Sequence, residues 1–296
     1  MPVKPIDVAI DFGLSNIKVA YKDHDQKIRW LTVPQRGSVD ADALRHAMSA
    51  ASLRLSDVSS IRVTGGRATL LPNAIEGLPV VKVNEMQAAG RGGLHLAQLS
   101  EALIVSAGSG TAMIAARQHG DETKHVTGSA VGGGTLQGLA RLLIGTVDPN
   151  EINALAEQGD SNQVDLTLIE ATGGAIGALP ADANAVNFGK LARSGQESDS
   201  SALRGALRAQ ESDSYRYAPR EDLAAGLVCL VGQVIAVIAI NAARAEKLDH
   251  IVVVGHLVNM PSVCKVLKTV AGYYGADIQI APNPGYGTVL GALLYH

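Results

Sequence analysis

The chain has 296 residues, 47% of them hydrophobic but with only 2 Cys, 1 Trp and 2 Phe; its core must come from Ala, Val, Ile and Leu, and its length suits two α/β lobes better than one. A net charge of −3 with dispersed basic residues leaves no electrostatic footprint for nucleic acid or for an anionic membrane surface. Cys229 and Cys264 lack metal-ligand spacing, and the longest apolar stretch, residues 227–243, is interrupted by Gly232, Gln233 and Asn241, which predicts structural thiols in a reducing cytoplasm, no signal peptide and no transmembrane helix.

Residues 6–11, 17–22 and 27–33 are short β-type runs separated by turn residues, predicting an antiparallel meander. Residues 40–53 open on a capping Asp40 and carry apolar side chains at helical spacing, and residues 60–64 read as a strand stopped by Gly65-Gly66. Residues 80–83 predict a further strand, directly followed by a helix with Glu85 in its first turn. A second cycle opens at residues 102–106, continues through 112–116 and 124–127, and runs into a helix over 136–144. That recurrence predicts two related lobes around a cleft, each a mixed sheet that starts with a three-strand meander and is flanked by helices. From residue 191 to 220 the chain turns polar, and Gln196-Glu197-Ser198-Asp199-Ser200 recurs as Gln210-Glu211-Ser212-Asp213-Ser214, which reads as a solvated insertion over 192–217. Residues 221–247 predict a long apolar helix, 251–254 a buried strand, 261–270 a helix, 277–280 a strand and 287–294 a closing helix.

Four segments carry the residue types that phosphate chemistry needs. Asp11-Phe12-Gly13-Leu14-Ser15-Asn16-Ile17-Lys18 places an acid at a strand end, a turn with backbone N–H groups, a hydroxyl and a lysine. The acid can hold Mg²⁺ while the turn and the lysine hold phosphate. Such a turn alone is weak, but Ser106-Ala107-Gly108-Ser109-Gly110-Thr111 is a second small-residue hairpin, and two that face one cleft can clamp phosphates from both sides. Gly132-Gly133-Gly134-Thr135 feeds straight into an apolar helix, where unpaired N–H groups attract an anion. Glu85, at the start of its helix, is a candidate base for a hydroxyl group if that helix begins at the cleft.

Together these residues resemble the type II pantothenate kinases, of the actin/hexokinase/Hsp70-like superfamily. Further anchors of the resemblance are Val63-Thr64-Gly65-Gly66, Ala88-Ala89, the run from His125 to Leu143, Gln158-Gly159-Asp160, Val164-Asp165-Leu166, Asn187-Phe188-Gly189 and Val254-Gly255. The resemblance implies two actin-like (ribonuclease H-like) lobes, residues 1–98 and 99–296, with an ATP cleft between them and dimerisation helices in the second. It implies phosphorylation of the primary hydroxyl of pantothenate, the first step of coenzyme A biosynthesis, by a cytoplasmic homodimer using ATP and Mg²⁺. By position, Glu85 matches the catalytic base, Asp11 the Mg²⁺-associated acid and Lys18 the phosphate-contacting lysine. The implied nucleotide contacts are Gly13, Ser15, Asn16, Gly108, Ser109, Gly110, Thr111, Gly132, Gly133, Gly134, Thr135 and Gly255. On the acceptor side stand Ser109, Thr111, Tyr273 and His125, the last where the family has an Arg. Two other readings stay open on the residues: a kinase for a different alcohol, suggested by His125, and a catalytically weak nucleotide-binding sensor, suggested by the bulky Leu14 in the first loop.

Overall fold

The computed structural model describes residues 5–193 and 218–295. The polar duplication at 196–214 therefore lies outside the described residues. The chain divides into two compact units: one takes the chain up to Ser129 together with Asn241–Asn259 and everything from Ile278 on, the other Ala130–Ile240 and Met260–Asp277.

The first unit contains both large sheets. Strands β1 (Ile6–Phe12), β2 (Asn16–Lys22) and β3 (Ile28–Pro34) form the expected antiparallel meander. Helix α1 (Ala41–Ala50) is capped by the Asp40 carboxylate, which accepts from the N–H groups of Asp42 and Ala43, and buries Leu44, Ala47 and Met48. Strand β4 (Val58–Thr64) then runs parallel to β1, with Asp11 opposite Thr64. Two more strands, β5 (Ala74–Ile75) and β6 (Leu78–Lys82), complete a sheet of order β3-β2-β1-β4-β6-β5. Central β1 is buried along nearly all its length, as expected of a strand whose two faces are both covered.

The second sheet repeats this plan. Strands β7 (Ala102–Ala107), β8 (Thr111–Arg117) and β9 (Glu122–Ser129) form a meander. With β12 (Ile251–Val254) and β13 (Ile278–Ile280), both parallel to β7, they give the order β13-β12-β7-β8-β9. Between the sheets in sequence lies α2 (Glu85–Ala97), started by Asn84, whose side chain accepts from the N–H groups of Met86 and Gln87. It crosses the closing helix Gly287–Leu293 at glycine: a Cβ on Gly92 would lie 1.8 Å from Gly287 O, and one on Gly291 would lie 1.8 Å from Ala88 O. Backbone therefore touches backbone at this crossing.

The second unit is helical around a small antiparallel pair, β10 (Leu166–Thr167) with β11 (Asn184–Val186). Helix α3 (Gly133–Leu143) follows the glycine run. Helix Pro149–Gln158 was not anticipated; it is capped by Asp148 and carries Pro at its first position, a start signal readable from sequence alone. It is tied to helix Pro261–Tyr273 where Asn153 Oδ1 accepts from the backbone N–H and hydroxyl of Ser262, at 3.0 and 2.7 Å. Helix Arg220–Glu246 is long and apolar enough to cross a membrane by length and composition, but 72% of its apolar window is buried inside the protein. Within the unit, Asp165 is fully buried and accepts from the Phe188 N–H and the Asn184 side-chain amide, both at 2.7 Å.

Candidate active site

The cross-strand register of the first hairpin puts Asp11 opposite Lys18. Because side chains alternate along a strand, the two share a face, and Lys18 Nζ donates to Asp11 Oδ2 at 2.9 Å. Asp11 is 3% exposed, its other oxygen, Oδ1, is buried without a partner, and so is Thr64 Oγ1. Thr64 pairs with Asp11 across β1 and β4, so two unsatisfied hard oxygens stand at neighbouring strand ends.

Gly65 follows with φ +99°; a Cβ there would lie 2.5 Å from Phe12 O and 2.9 Å from Asp11 Oδ1. Only glycine suits both the backbone and the space. A Cβ on Gly66 would lie 3.7 Å from Glu85 Oε2, which places the carboxylate at the start of α2 beside the same turn. Glu85 is an exposed residue, yet protein crowds its carboxylate. That desolvation, then the Asp11 charge, raises its pKa above the ordinary 4.5, while Lys18 opposes the rise. Asp11, Lys18 and Glu85 thus form one electrostatic cluster.

The two small-residue hairpins also meet. Gly13 N–H donates to Asn16 O at 3.1 Å and Gly108 N–H to Gly110 O at 2.9 Å, closing each turn. The hydroxyls of Ser15 and Ser109 are 3.3 Å apart, and Leu14 is 67% exposed, so its side chain points away into solvent. Thr111 is buried at the base of the second hairpin, paired with Ala107 and Ser129. At Gly255, φ is +109° and a Cβ would lie 2.2 Å from Ala107 O, which brings the end of β12 against the second hairpin. His125 stands exposed on edge strand β9, its Nε2 3.8 Å from where a Cβ on Gly128 would lie.

The remaining predicted residues belong to the other unit. Gly132 precedes α3, and Thr135 Oγ1 donates to Ala130 O at 2.9 Å while accepting from Gly132 N–H at 3.4 Å. The first-turn amides of α3 have no acceptor within the helix, which makes this start receptive to an anion in its own right. Tyr273 ends helix Pro261–Tyr273; burial raises its hydroxyl pKa, as do the charges of Asp182 and Cys229.

Sequence reading singled out neither Thr64, beside Asp11, nor His256, whose ring feels the charges of Lys18 and Asp11. Thr64 was legible as a strand end, but only the parallel register of β1 and β4 sets it beside Asp11. The repeated sheet plan and the paired loops define the actin-like class of phosphotransferase and ATPase folds. Two solved structures share that fold: an activator of the 2-hydroxyisocaproyl-CoA dehydratase from Clostridium difficile with bound ADPNP, 16% identical with a TM-score of 0.63 over 98% of this chain and 93% of that one, and a ROK family glucokinase from Streptomyces griseus in complex with glucose and AMPPNP, 14% identical with a TM-score of 0.54 over 97% of this chain and 98% of that one.

The profile of the Fumble family matches residues 95–294, and the chain belongs to that family. It is similar to a type II pantothenate kinase of Bacillus cereus, 23% identical over 97% of this chain and 96% of the relative. It is also similar to those of Oceanobacillus iheyensis, 25% identical over 97% and 98%, and Staphylococcus epidermidis, 26% identical over 81% and 85%.

Proposed function

We propose that the chain transfers the terminal phosphoryl group of ATP to the primary hydroxyl of pantothenate, giving 4'-phosphopantothenate and ADP, the first step of coenzyme A biosynthesis. The observation that carries the reading is the Asp11–Lys18–Glu85 cluster beside two touching phosphate-type hairpins, in a member of the Fumble family. Glu85, its pKa raised toward the working range, accepts the hydroxyl proton as the oxygen attacks phosphorus and the bond to the β-phosphate oxygen breaks. The loop amides of Gly13 to Asn16 and of Gly108 to Thr111, with the remaining N–H groups of Lys18, hold phosphate oxygens.

Asp11 Oδ1 and Thr64 Oγ1, buried and unpaired, suit Mg²⁺, which favours oxygen donors and retains several waters. Asp11 and Thr64 would hold such an ion, which would supply charge neutralisation for the phosphates. We propose two lobes, residues 1–98 and 99–296, divided by which of the two large sheets each builds and so not along the compact units, which group both sheets together, and a cytoplasmic homodimer as the working form. A second reading, phosphorylation of a related alcohol, is favoured by the exposed His125, because an imidazole does not reproduce the fixed donor fork of an arginine. A coupled ADP-release assay over a panel of alcohols including pantothenate and pantetheine tests both. Turnover highest on pantothenate supports the first reading; preference for another alcohol supports the second, and no turnover on any sinks both.

A further inference from the structure

His256 is the first residue after the glycine that ends β12. At Gly255 the N–H donates to Pro284 O at 2.7 Å, and no side chain fits against Ala107 O; the chain must therefore leave the sheet at the end that carries the second hairpin. Val254 pairs with Ser106, two residues before Gly108. The imidazole that follows is held from several sides. A Cβ on Gly285 would come within 2.7 Å of it, and the Tyr286 ring meets it edge-on at 6.3 Å between centroids. Tyr286 is itself fixed by stacking on Trp30 and by a 3.1 Å hydrogen bond in which Thr32 Oγ1 donates to its hydroxyl.

The two ring nitrogens differ. Asn259 Nδ2 lies 3.1 Å from His256 Nδ1. With the Asn259 amide nitrogen as donor, Nδ1 accepts and the ring proton resides on Nε2. That Nε2 is buried and has no partner. Burial first, and the Lys18 charge second, lower the pKa of His256, with Asp11 opposing, so the ring stays neutral with a single N–H. A buried donor left without an acceptor is destabilising, because it has given up water and gained nothing in return. Such a cost is tolerated at a site that a ligand completes. Asp11 Oδ1 and Thr64 Oγ1, likewise buried and unpaired, belong to the same end of this unit. The Lys18 charge that reaches the ring favours an anion as the missing acceptor.

We propose that His256 is a nucleotide-contacting residue whose Nε2–H donates to a phosphate oxygen of bound ATP. This rests on the reading of the chain as an ATP-dependent kinase. The test is calorimetric binding of AMPPNP, ADP and adenosine with Mg²⁺ to the full chain and to two variants. His256→Gln keeps an amide nitrogen where Nε2 stands; His256→Asn reaches only as far as Nδ1. His256→Asn should weaken AMPPNP roughly ten- to a hundredfold, as expected for a hydrogen bond to a charged group, leave adenosine unchanged, and be largely rescued in His256→Gln.

Equal affinity in all three proteins, or an equal loss for adenosine and AMPPNP, would show that the ring only packs and would overturn the proposal while leaving the kinase reading intact. A wild-type chain that binds no nucleotide would overturn both. Should the Asn variant fail to fold, ¹H–¹⁵N spectra of the wild-type imidazoles serve instead. A proton on Nε2 whose resonance shifts with AMPPNP and not with adenosine supports the contact; a proton on Nδ1, or no shift, ends it.

Discussion

In the proposed reaction Glu85 is the base, so one atom of its side chain distinguishes binding from turnover. Replacing its carboxylate by the amide in Glu85→Gln preserves size but removes the proton acceptor, so kcat should fall ~10²–10⁴-fold with nucleotide affinity kept. Retention of more than about a tenth of wild-type kcat, well short of that range, would assign the base elsewhere. Because burial and Asp11 raise the Glu85 pKa, the acid limb of kcat/KM should break at a pH above 4.5, measurable from a pH–rate profile. Asp165 offers a stability test in the other unit. Burial raises its pKa from 3.8 to about 6, against the Phe188 N–H bond that lowers it. Between those values the native state holds a proton that the unfolded chain has released, so this group's contribution to stability falls as pH rises through that window, by roughly 3 kcal/mol in all at ~1.4 kcal/mol per unit. Asp165→Asn cannot titrate; the wild type should therefore lose stability relative to the variant between pH 4 and 7, read as urea midpoints. Asp11, Lys18 and Glu85 were legible because each lies at a strand end, hairpin or helix start that local sequence marks. Thr64 and His256 were not, since what makes them notable is a parallel strand and a chain return far away in sequence.

At the scale of elements, the crossing of α2 with the closing helix decides where Glu85 stands. Gly92→Ala or Gly291→Ala would drive a methyl into carbonyl oxygen at 1.8 Å. The helices must separate, at a cost of about 1–3 kcal/mol or more, and α2 should carry Glu85 with it. Thermal melts should show the lost stability, and kcat should fall further than Tm alone would predict. A variant with unchanged Tm would mean that the helices already have slack. The meanders, α1 and the strand after it could be read from alternation, caps and glycine stops, and their observed bounds fall within a few residues of those expected. Helix Pro149–Gln158 carried its Asp-Pro start signal unread. The β10–β11 pair has only short strands, too brief for a period to show.

For the whole molecule, the homodimer reading predicts a light-scattering mass twice the chain's 30.6 kDa, stable on dilution; a mass of one chain would remove it. The duplication of a sheet plan was visible in sequence because the same run of short strands occurs twice. Which later strands complete each sheet was not, because parallel pairing leaves no local mark. That pairing has a consequence during synthesis. Every strand of the first sheet is made by Lys82, whereas β7 must wait for β12, with Leu103 pairing to Ile251. At ~5–20 residues per second the ribosome needs roughly 6–24 s to travel from β9 to β12. Throughout that interval the Ala-Leu-Ile-Val edge of β7 is an unpaired template for other nascent chains, a liability that the finished fold covers with β12.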